Sequence, residues 1–391
     1  MSRRALGKIR RPIMTPFTQL RAFLSCLLFL PPAPLPAAVG LHPLFGDHAV
    51  LQCDQPLPVW GSATPGERVE VTFAGQTRAT TADAAGRWRV TLDPLAASDQ
   101  ARELIATGTT TATARDVLVG EVWLASGQSN IRAELRSAHN AADALPAAHD
   151  PALRFFTVKM SPAAEPLDRV EGDWKTTTPD QAKSFSAVGY FFARELRRTT
   201  GKPVAIIVSG WGGTPIQAWT PLASLRREPP LATPLAEWDQ ALARHREVVE
   251  NPQLAADYRR DLDRWKRETE PAFLQATRAY QAAKATGKDP GPKPDAAIPE
   301  PENPDPMDTP SPSRRPQTPT VAFNGMIAPL APFALRGVLW YQGEQDGSRG
   351  LAYRDLLPRL IEGWRSRWNA ELPFVIIQLP AFGHDPGPVA G

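Results

Sequence analysis

The stretch Asp116-Val117-Leu118-Val119-Gly120-Glu121-Val122-Trp123-Leu124-Ala125-Ser126-Gly127-Gln128-Ser129-Asn130 decides how the rest of the chain is read. It opens as an apolar run of strand type and breaks at a glycine followed by polar residues. Ser129 is thereby placed like a nucleophile. A hydroxyl attacks a carbonyl when it is held exposed at a strand-to-loop corner, with a base in reach and amide hydrogens facing the oxygen that becomes negative. Gly127 permits such a corner. Ser-Asn after a strand is equally an ordinary helix N-cap, since both residues favour that position, and this stretch alone does not choose between the two.

Outward from it the texture differs on the two sides. From residue 41 to about 114 short runs alternate apolar and polar residues, as in Val69-Glu70-Val71-Thr72-Phe73 and Arg87-Trp88-Arg89-Val90-Thr91-Leu92, with turns at Thr64-Pro65-Gly66 and Ala84-Ala85-Gly86. That is the pattern of a small antiparallel β-sandwich, with Trp60 and Trp88 in its core. After Asp116 longer apolar strands, at 153–158, 203–209, 335–340 and 373–379, alternate with helical segments at 186–199 and 352–369. This alternation predicts a parallel sheet with crossover helices, and the 373–379 strand reads as buried. An insertion at 221–319 interrupts it. Residues 235–249 and 253–286 predict two polar helices, the second kinked or restarted at Pro271, and the Pro-rich 289–319 reads as an extended linker.

The whole chain has 391 residues, 42% hydrophobic and 22% charged, which is ordinary globular composition with room for two cores. Its formal charge of +3 comes from the N-terminus, where Arg3, Arg4, Lys8, Arg10, Arg11 and Arg21 stand without an acid before residue 39; removing those six leaves −3. The body is therefore not basic, and no nucleic-acid partner is expected. Residues 1–38 have the layout of a secretory signal, basic, then apolar over 22–30, then small at Ala37-Ala38. A secreted or periplasmic protein is expected, with no membrane attachment once the signal is cleaved. Cys53 is then the one cysteine of the mature chain and forms no internal disulfide.

In an open α/β sheet, ligands bind beyond the carboxyl ends of the strands. Three such ends carry unusual sequence: Gly127-Gln128-Ser129-Asn130, then Ser209-Gly210-Trp211-Gly212-Gly213-Thr214-Pro215-Ile216-Gln217-Ala218-Trp219, then Trp340-Tyr341-Gln342-Gly343-Glu344-Gln345-Asp346. The glycines of the second let backbone N–H groups approach a bound group closely. Each block alone is ambiguous, and together they mark one site.

With Val50-Leu51-Gln52 in the sandwich and Phe323-Asn324-Gly325-Met326-Ile327-Ala328-Pro329-Leu330 ahead of the third block, the sequence resembles the SGNH hydrolases, within them the sialate O-acetylesterase type of carbohydrate esterase, over nearly all of 41–380. The resemblance implies an α/β fold: a flavodoxin-like three-layer α/β/α SGNH-hydrolase domain at 116–391 behind a β-sandwich at 39–115. It implies removal of acetyl groups from carbohydrate hydroxyls; no His/Cys/Asp cluster has ligand spacing, so no metal or cofactor is expected. Carried over, Ser129 is the nucleophile, with Gly213 (or its neighbour Gly212) and Gln342 completing the oxyanion hole. Asn130, Gln217 and Glu344 bind substrate or orient the loops, Thr214 touches the sugar, and Trp219 either touches it or, as slightly favoured, packs. Ile131 replaces a common Met at similar volume, and Gly-Glu-Gln-Asp replaces the more usual Gly-Glu-Ser-Asn.

One departure is larger. The family's base is a His three residues after an Asp, beyond the strand at 373–379, and none of His42, His48, His139, His149, His245 and His384 has that context. The hydrolase domain is thus expected to lack its C-terminal part, and Ser129 to react slowly without a base. A noncatalytic carbohydrate-binding protein is the alternative. A lipid-directed esterase would need an apolar lid, for which the inserted helices are too polar.

Overall fold

The structure, a computed structural model, describes residues 38–227, 232–306 and 318–380. The expected signal segment, residue 38 apart, and His384 lie outside the described residues.

Eight strands open the chain: β1 (Gly40–Leu41), β2 (Val50–Gln52), β3 (Leu57–Ser62), β4 (Arg68–Phe73), β5 (Gln76–Thr81), β6 (Arg87–Leu92), β7 (Ser98–Thr107) and β8 (Thr111–Gly127). β1, β3 and β6 form one antiparallel sheet; β5, β4, β7 and the first half of β8 form the other, with β2 parallel to β8. The alternation read in the sequence is the reason. Val69, Val71 and Phe73 of β4 and Trp88, Val90 and Leu92 of β6 all point inward, and their neighbours face water.

β8 then runs on without a break into a second sheet, and from Val117 onward it is buried on both faces except at Trp123. The 115/116 boundary thus lies inside a strand. It is marked by Asp116 at φ 54°, a left-handed conformation that Asp tolerates. The buried Arg154 spans the joint, donating from Nη2 to both carboxylate oxygens of Asp116 at 2.9 and 3.0 Å and from Nη1 to its carbonyl.

After β8 come α1 (Ala141–Ala144), β9 (Asp150–Thr157), β10 (Trp174–Thr177), α2 (Pro179–Ala182), α3 (Ala187–Thr200), β11 (Val204–Gly210) and α4 (Leu222–Leu225). The insertion supplies α5 (Ala232–Glu250), α6 (Pro252–Glu268) and α7 (Glu270–Ala285); β12 (Gly337–Tyr341), α8 (Gly350–Trp368) and β13 (Phe374–Ile376) follow. The sheet runs β10-β9-β11-β8-β12-β13, parallel except for β10. Alternate residues of β11 feed two cores. Val204, Ile206 and Val208 pack with Phe155 and Tyr190 under α3, while Ala205 and Ile207 belong with Trp340, Leu360 and Trp364 under α8. A sheet with an apolar helical layer on each face is the three-layer α/β/α architecture. Setting β9 and β10 aside as an added edge pair, β11-β8-β12-β13 reads 2-1-3-4, so the strand order reverses at β8. α3 is capped as its sequence demands, by the Ser186 hydroxyl accepting from the Gly189 N–H at 3.1 Å and by Gly201 at φ 68°.

The second inserted helix restarts at Pro271 as expected, broken at Thr269 into α6 and α7, because Pro271 fits the first turn of a new helix and not the interior of an old one. Two other expectations change. The described Pro-rich residues do not run free as a linker. They lie along the inserted helices, where Trp265 Nε1 donates to the Ile298 carbonyl (2.8 Å), Arg244 Nε to the Pro304 carbonyl (3.2 Å), and His245 Nδ1 bonds the Asp305 carboxylate (3.0 Å). The strand expected to be buried over 373–379 is shorter, and Val375 and Ile376 are exposed: among the described residues it pairs with β12 alone.

Candidate active site

Because β11, β8 and β12 are parallel neighbours with Gly210, Gly127 and Tyr341 in register, the three unusual loops leave the sheet side by side. β8 is the switch point, with β11 on one flank and β12 on the other, and ligands bind at the carboxyl edge of such a point. Glycines make the approach possible. At Gly127, φ 141°, a Cβ would lie 2.0 Å from the Tyr341 carbonyl oxygen, and at Gly210 it would lie 2.4 Å from Cγ2 of the buried Ile131.

Ser129 begins a short 3-10 turn, Ser129–Arg132, so neither a regular helix nor a side-chain cap accounts for it. Its side chain is exposed, and among the described residues its hydroxyl has no hydrogen-bond partner. Gly212 of the second loop faces it: a Cβ there would stand 3.4 Å from Ser129 Cβ. Gly213, at φ 74°, has open space where its Cβ would be. Asn130 is half-buried, and its Nδ2 donates to Oε1 of the exposed Glu344, joining the first loop to the third.

Beneath this accessible rim lies a buried polar floor. Gln128 Oε1 accepts from the backbone N–H of Gly343 (3.2 Å) and Gln345 (3.3 Å). Gln342 Nε2 donates to the Thr214 carbonyl (3.1 Å) and to Asp346 Oδ2 (2.6 Å). Tyr353 donates to the Gln342 carbonyl at 3.0 Å, and its hydroxyl stays neutral, pushed up to about 12 by burial and by the charges of Asp346 and Glu344 against a bond from Trp340. Arg349 joins Asp346 to Gln217.

The residues expected to meet substrate therefore divide. Ser129, Asn130, Gly213 and Glu344 lie on the rim. Thr214 does not: it is fully buried, its hydroxyl donating to the Trp211 carbonyl (2.6 Å) and accepting from Trp219 Nε1 (2.8 Å), so it braces the loop. Gln217 lies in the floor as Arg349's acceptor. Trp219 packs, wholly buried against Trp340. Gln128, Asp346, Arg349 and Tyr353 carry the floor and were not singled out in the sequence; a Gln and an Asp inside the two polar blocks were the available signal.

Among the described residues no histidine hydrogen-bonds Ser129. His42 is buried, and that burial with the nearby Arg169 charge lowers its imidazole to about 3. His48 bonds Asp116 and His245 bonds Asp305, while His139 and His149 are exposed. A cavity of about 720 Å³ between α4 and α8, lined by Ser224, Arg227, Glu362 and Arg365 among others, includes none of the strand-end residues.

Residues 119–257 match the family model described as carbohydrate esterase, sialic acid-specific acetylesterase. The sialate O-acetylesterase of Rattus norvegicus is 28% identical over 358 residues, which is 83% of this chain and 57% of the rat protein. The Homo sapiens protein of the same name is 27% identical over 350 residues, 82% of this chain and 53% of its own length. Among solved structures, a carbohydrate acetylesterase from Xanthomonas citri superposes with a TM-score of 0.64 at 33% identity, covering 88% of this chain and 60% of that one. The chain spans a little over half the length of the curated relatives it matches.

Proposed function

We propose that this chain, similar to carbohydrate esterases of the sialic acid-specific acetylesterase type, hydrolyses O-acetyl esters on carbohydrates through Ser129. The observation that carries this reading is the position of Ser129: exposed, without a side-chain partner among the described residues, and facing Gly212 at the switch point of the sheet. Ser129 Oγ bonds to the acetyl carbon while the carbonyl oxygen takes up the negative charge. The carbon–oxygen bond to the sugar then breaks, and the sugar oxygen leaves with a proton. Water releases acetate from the acyl-serine in a second, equivalent step.

The developing oxyanion is received by the backbone N–H groups of Ser129 and Gly213. Gln342 adds a third donor by turning its Thr214-bound hydrogen toward the oxyanion; each such donor is worth roughly 3 kcal/mol of barrier. Asn130 and Glu344, linked to each other on the rim, meet the sugar. None of the six histidines of the sequence stands three residues after an Asp; with no such base the serine proton passes to solvent, and hydrolysis is slow. Residues 1–38 direct export.

The test is hydrolysis of p-nitrophenyl acetate by the chain as it stands. Slow release that Ser129→Ala removes is the expected result. Fast turnover would show that a residue within the chain already serves as base; turnover indifferent to Ser129→Ala would remove the serine from the mechanism and favour the noncatalytic reading.

A further inference from the structure

Asp346 joins the second and third loops more extensively than any residue the sequence singled out. Its carboxylate is buried. Oδ2 accepts from the backbone N–H of Ile216 at 2.8 Å and from Gln342 Nε2 at 2.6 Å; Oδ1 accepts from Arg349 Nη2 at 2.8 Å. Arg349 is itself tied back to the second loop through Gln217 Oε1 at 3.3 Å. Resting on the reading of Ser129 and Gln342 above, we propose that Asp346 is a positioning residue that fixes the Gln342 carboxamide with its donor end toward the oxyanion hole, and that Arg349 supplies the counter-charge that makes an acid tolerable there.

A carboxamide is nearly symmetrical in shape, and a half-turn exchanges its donor and acceptor ends. At Gln342 the surroundings allow one orientation. Turned the other way, Oε1 would face two acceptors, the Asp346 carboxylate and the Thr214 carbonyl, in a buried place where an unmade or repulsive polar contact is costly. In the orientation seen, Gln342 Oε1 is buried without a partner. The molecule leaves an amide oxygen unsatisfied in order to keep the amide hydrogens on Asp346 and Thr214, so the acid dictates the geometry.

The two hydrogens differ in their hold. The bond to the charged oxygen is the shorter, 2.6 Å against 3.1 Å to the neutral Thr214 carbonyl, as expected when the acceptor is ionised. The Thr214 bond is therefore the one given up when the whole carboxamide tilts about its Asp346 bond to meet a developing oxyanion. An unpaired carboxylate beside that oxyanion would oppose the charge the hole exists to receive. The Arg349 guanidinium on Oδ1 cancels it, and as Arg349 is exposed it does so without itself being desolvated.

The test is the single-turnover rate at which p-nitrophenyl acetate acetylates Ser129, followed by intact-mass spectrometry against ester concentration for the full chain, Asp346→Asn, Arg349→Gln and Ser129→Ala. Asn at 346 keeps the shape but turns one oxygen into a donor that faces other donors. Its maximal rate is expected to fall about tenfold, short of the ~10²–10³ for outright loss of a donor, with the half-saturating ester concentration unchanged. Arg349→Gln, at an exposed position, is expected to fold and to slow acetylation several-fold in the same way, which keeps the test open should Asp346→Asn not fold. Either variant acetylating at the parent maximal rate, or either one changing only the half-saturating concentration, would overturn the inference while leaving the nucleophile in place. No acetyl group on Ser129 in the parent chain would overturn both.

Discussion

The two ends of β11, β8 and β12 are built on opposite plans. At their amino ends Glu121, buried, pairs with Lys202 at 3.3 Å and Arg336 at 3.2 Å, and Lys202 also reaches Asp54 at 3.3 Å. Cys53 lies in the same cluster, its Sγ 3.7 Å from Glu121 Oε1. Burial, with a bond to Asp54 and the Glu121 charge, pushes its thiol up to about 12 against the pull of Lys202. Every charge there has an answering charge, and the cluster fastens the strand starts to the sandwich. At the carboxyl ends Ser126 Oγ and Gln342 Oε1 are buried without partners, and Ser129 stands exposed with its hydroxyl unengaged among the described residues. Unsatisfied polar atoms are costly, and Trp123 Nε1 near the charged cluster is a third on these strands; what sets the carboxyl ends apart is that two such atoms accompany an exposed, unengaged serine, which marks where something other than stability is served.

Substitutions at each end break this contrast in different measurements. The largest effect is expected below the carboxyl ends. Trp340, fully buried between Trp219 and Trp364, is the apolar support of the second and third loops, and Trp340→Ala is expected to cost about 3–5 kcal/mol in denaturant unfolding. At the amino ends, Glu121→Ala is expected to cost about 1–2 kcal/mol, because its partly exposed partners Lys202 and Arg336 return to water. The acetylation rate of Ser129 per folded molecule should not change; a slowed Ser129 would mean that the two ends are coupled and the contrast is false. Gly212→Ala should do the reverse. Its Cβ meets only Ser129, at 3.4 Å, so stability is expected to shift by no more than about 0.5 kcal/mol while acetylation slows.

The smallest effect is at the joint between sandwich and sheet. Burial alone would raise the Asp116 carboxyl, but the bonds from His48 and Arg154 and the charge of Arg154 outweigh it and hold it below its ordinary 3.8. A carboxyl depressed in the folded state stabilises it above the unfolded value, and that contribution is lost as pH falls through the folded value. The melting-temperature gap between the parent chain and Asp116→Asn is therefore expected to be full near about pH 6 and to close below about pH 4. A gap that widens with acid would reverse the assignment.

The parts of this molecule that follow local rules were legible in its sequence. The alternation of β4 and β6, the apolar run of β8, the helix beginning near residue 186 and the strand-end position of Ser129 each depend on residues within a few positions of one another. The floor of the site was not legible, because Asp346 is defined by Ile216, 130 positions away in the chain, as well as by Gln342 and Arg349 nearby. The role of Thr214 is hidden for the same reason: nothing in Gly-Gly-Thr-Pro says that its hydroxyl is taken by Trp211 and Trp219. The charged cluster at Glu121 joins residues from β8 with Lys202 and Arg336, just ahead of β11 and β12. The Pro-rich segment has a linker's composition, yet its carbonyls and Asp305 serve side chains of α5 and α6, a pairing that composition does not carry.

The central claim is that Ser129 is the nucleophile of an acyl transfer. Its most direct measurement is peptide mass mapping of the chain after brief exposure to p-nitrophenyl acetate. One acetyl group on the peptide containing Ser129, absent in Ser129→Ala, is the predicted result. Acetylation confined to lysines and the amino terminus, with that peptide unmodified, would contradict it.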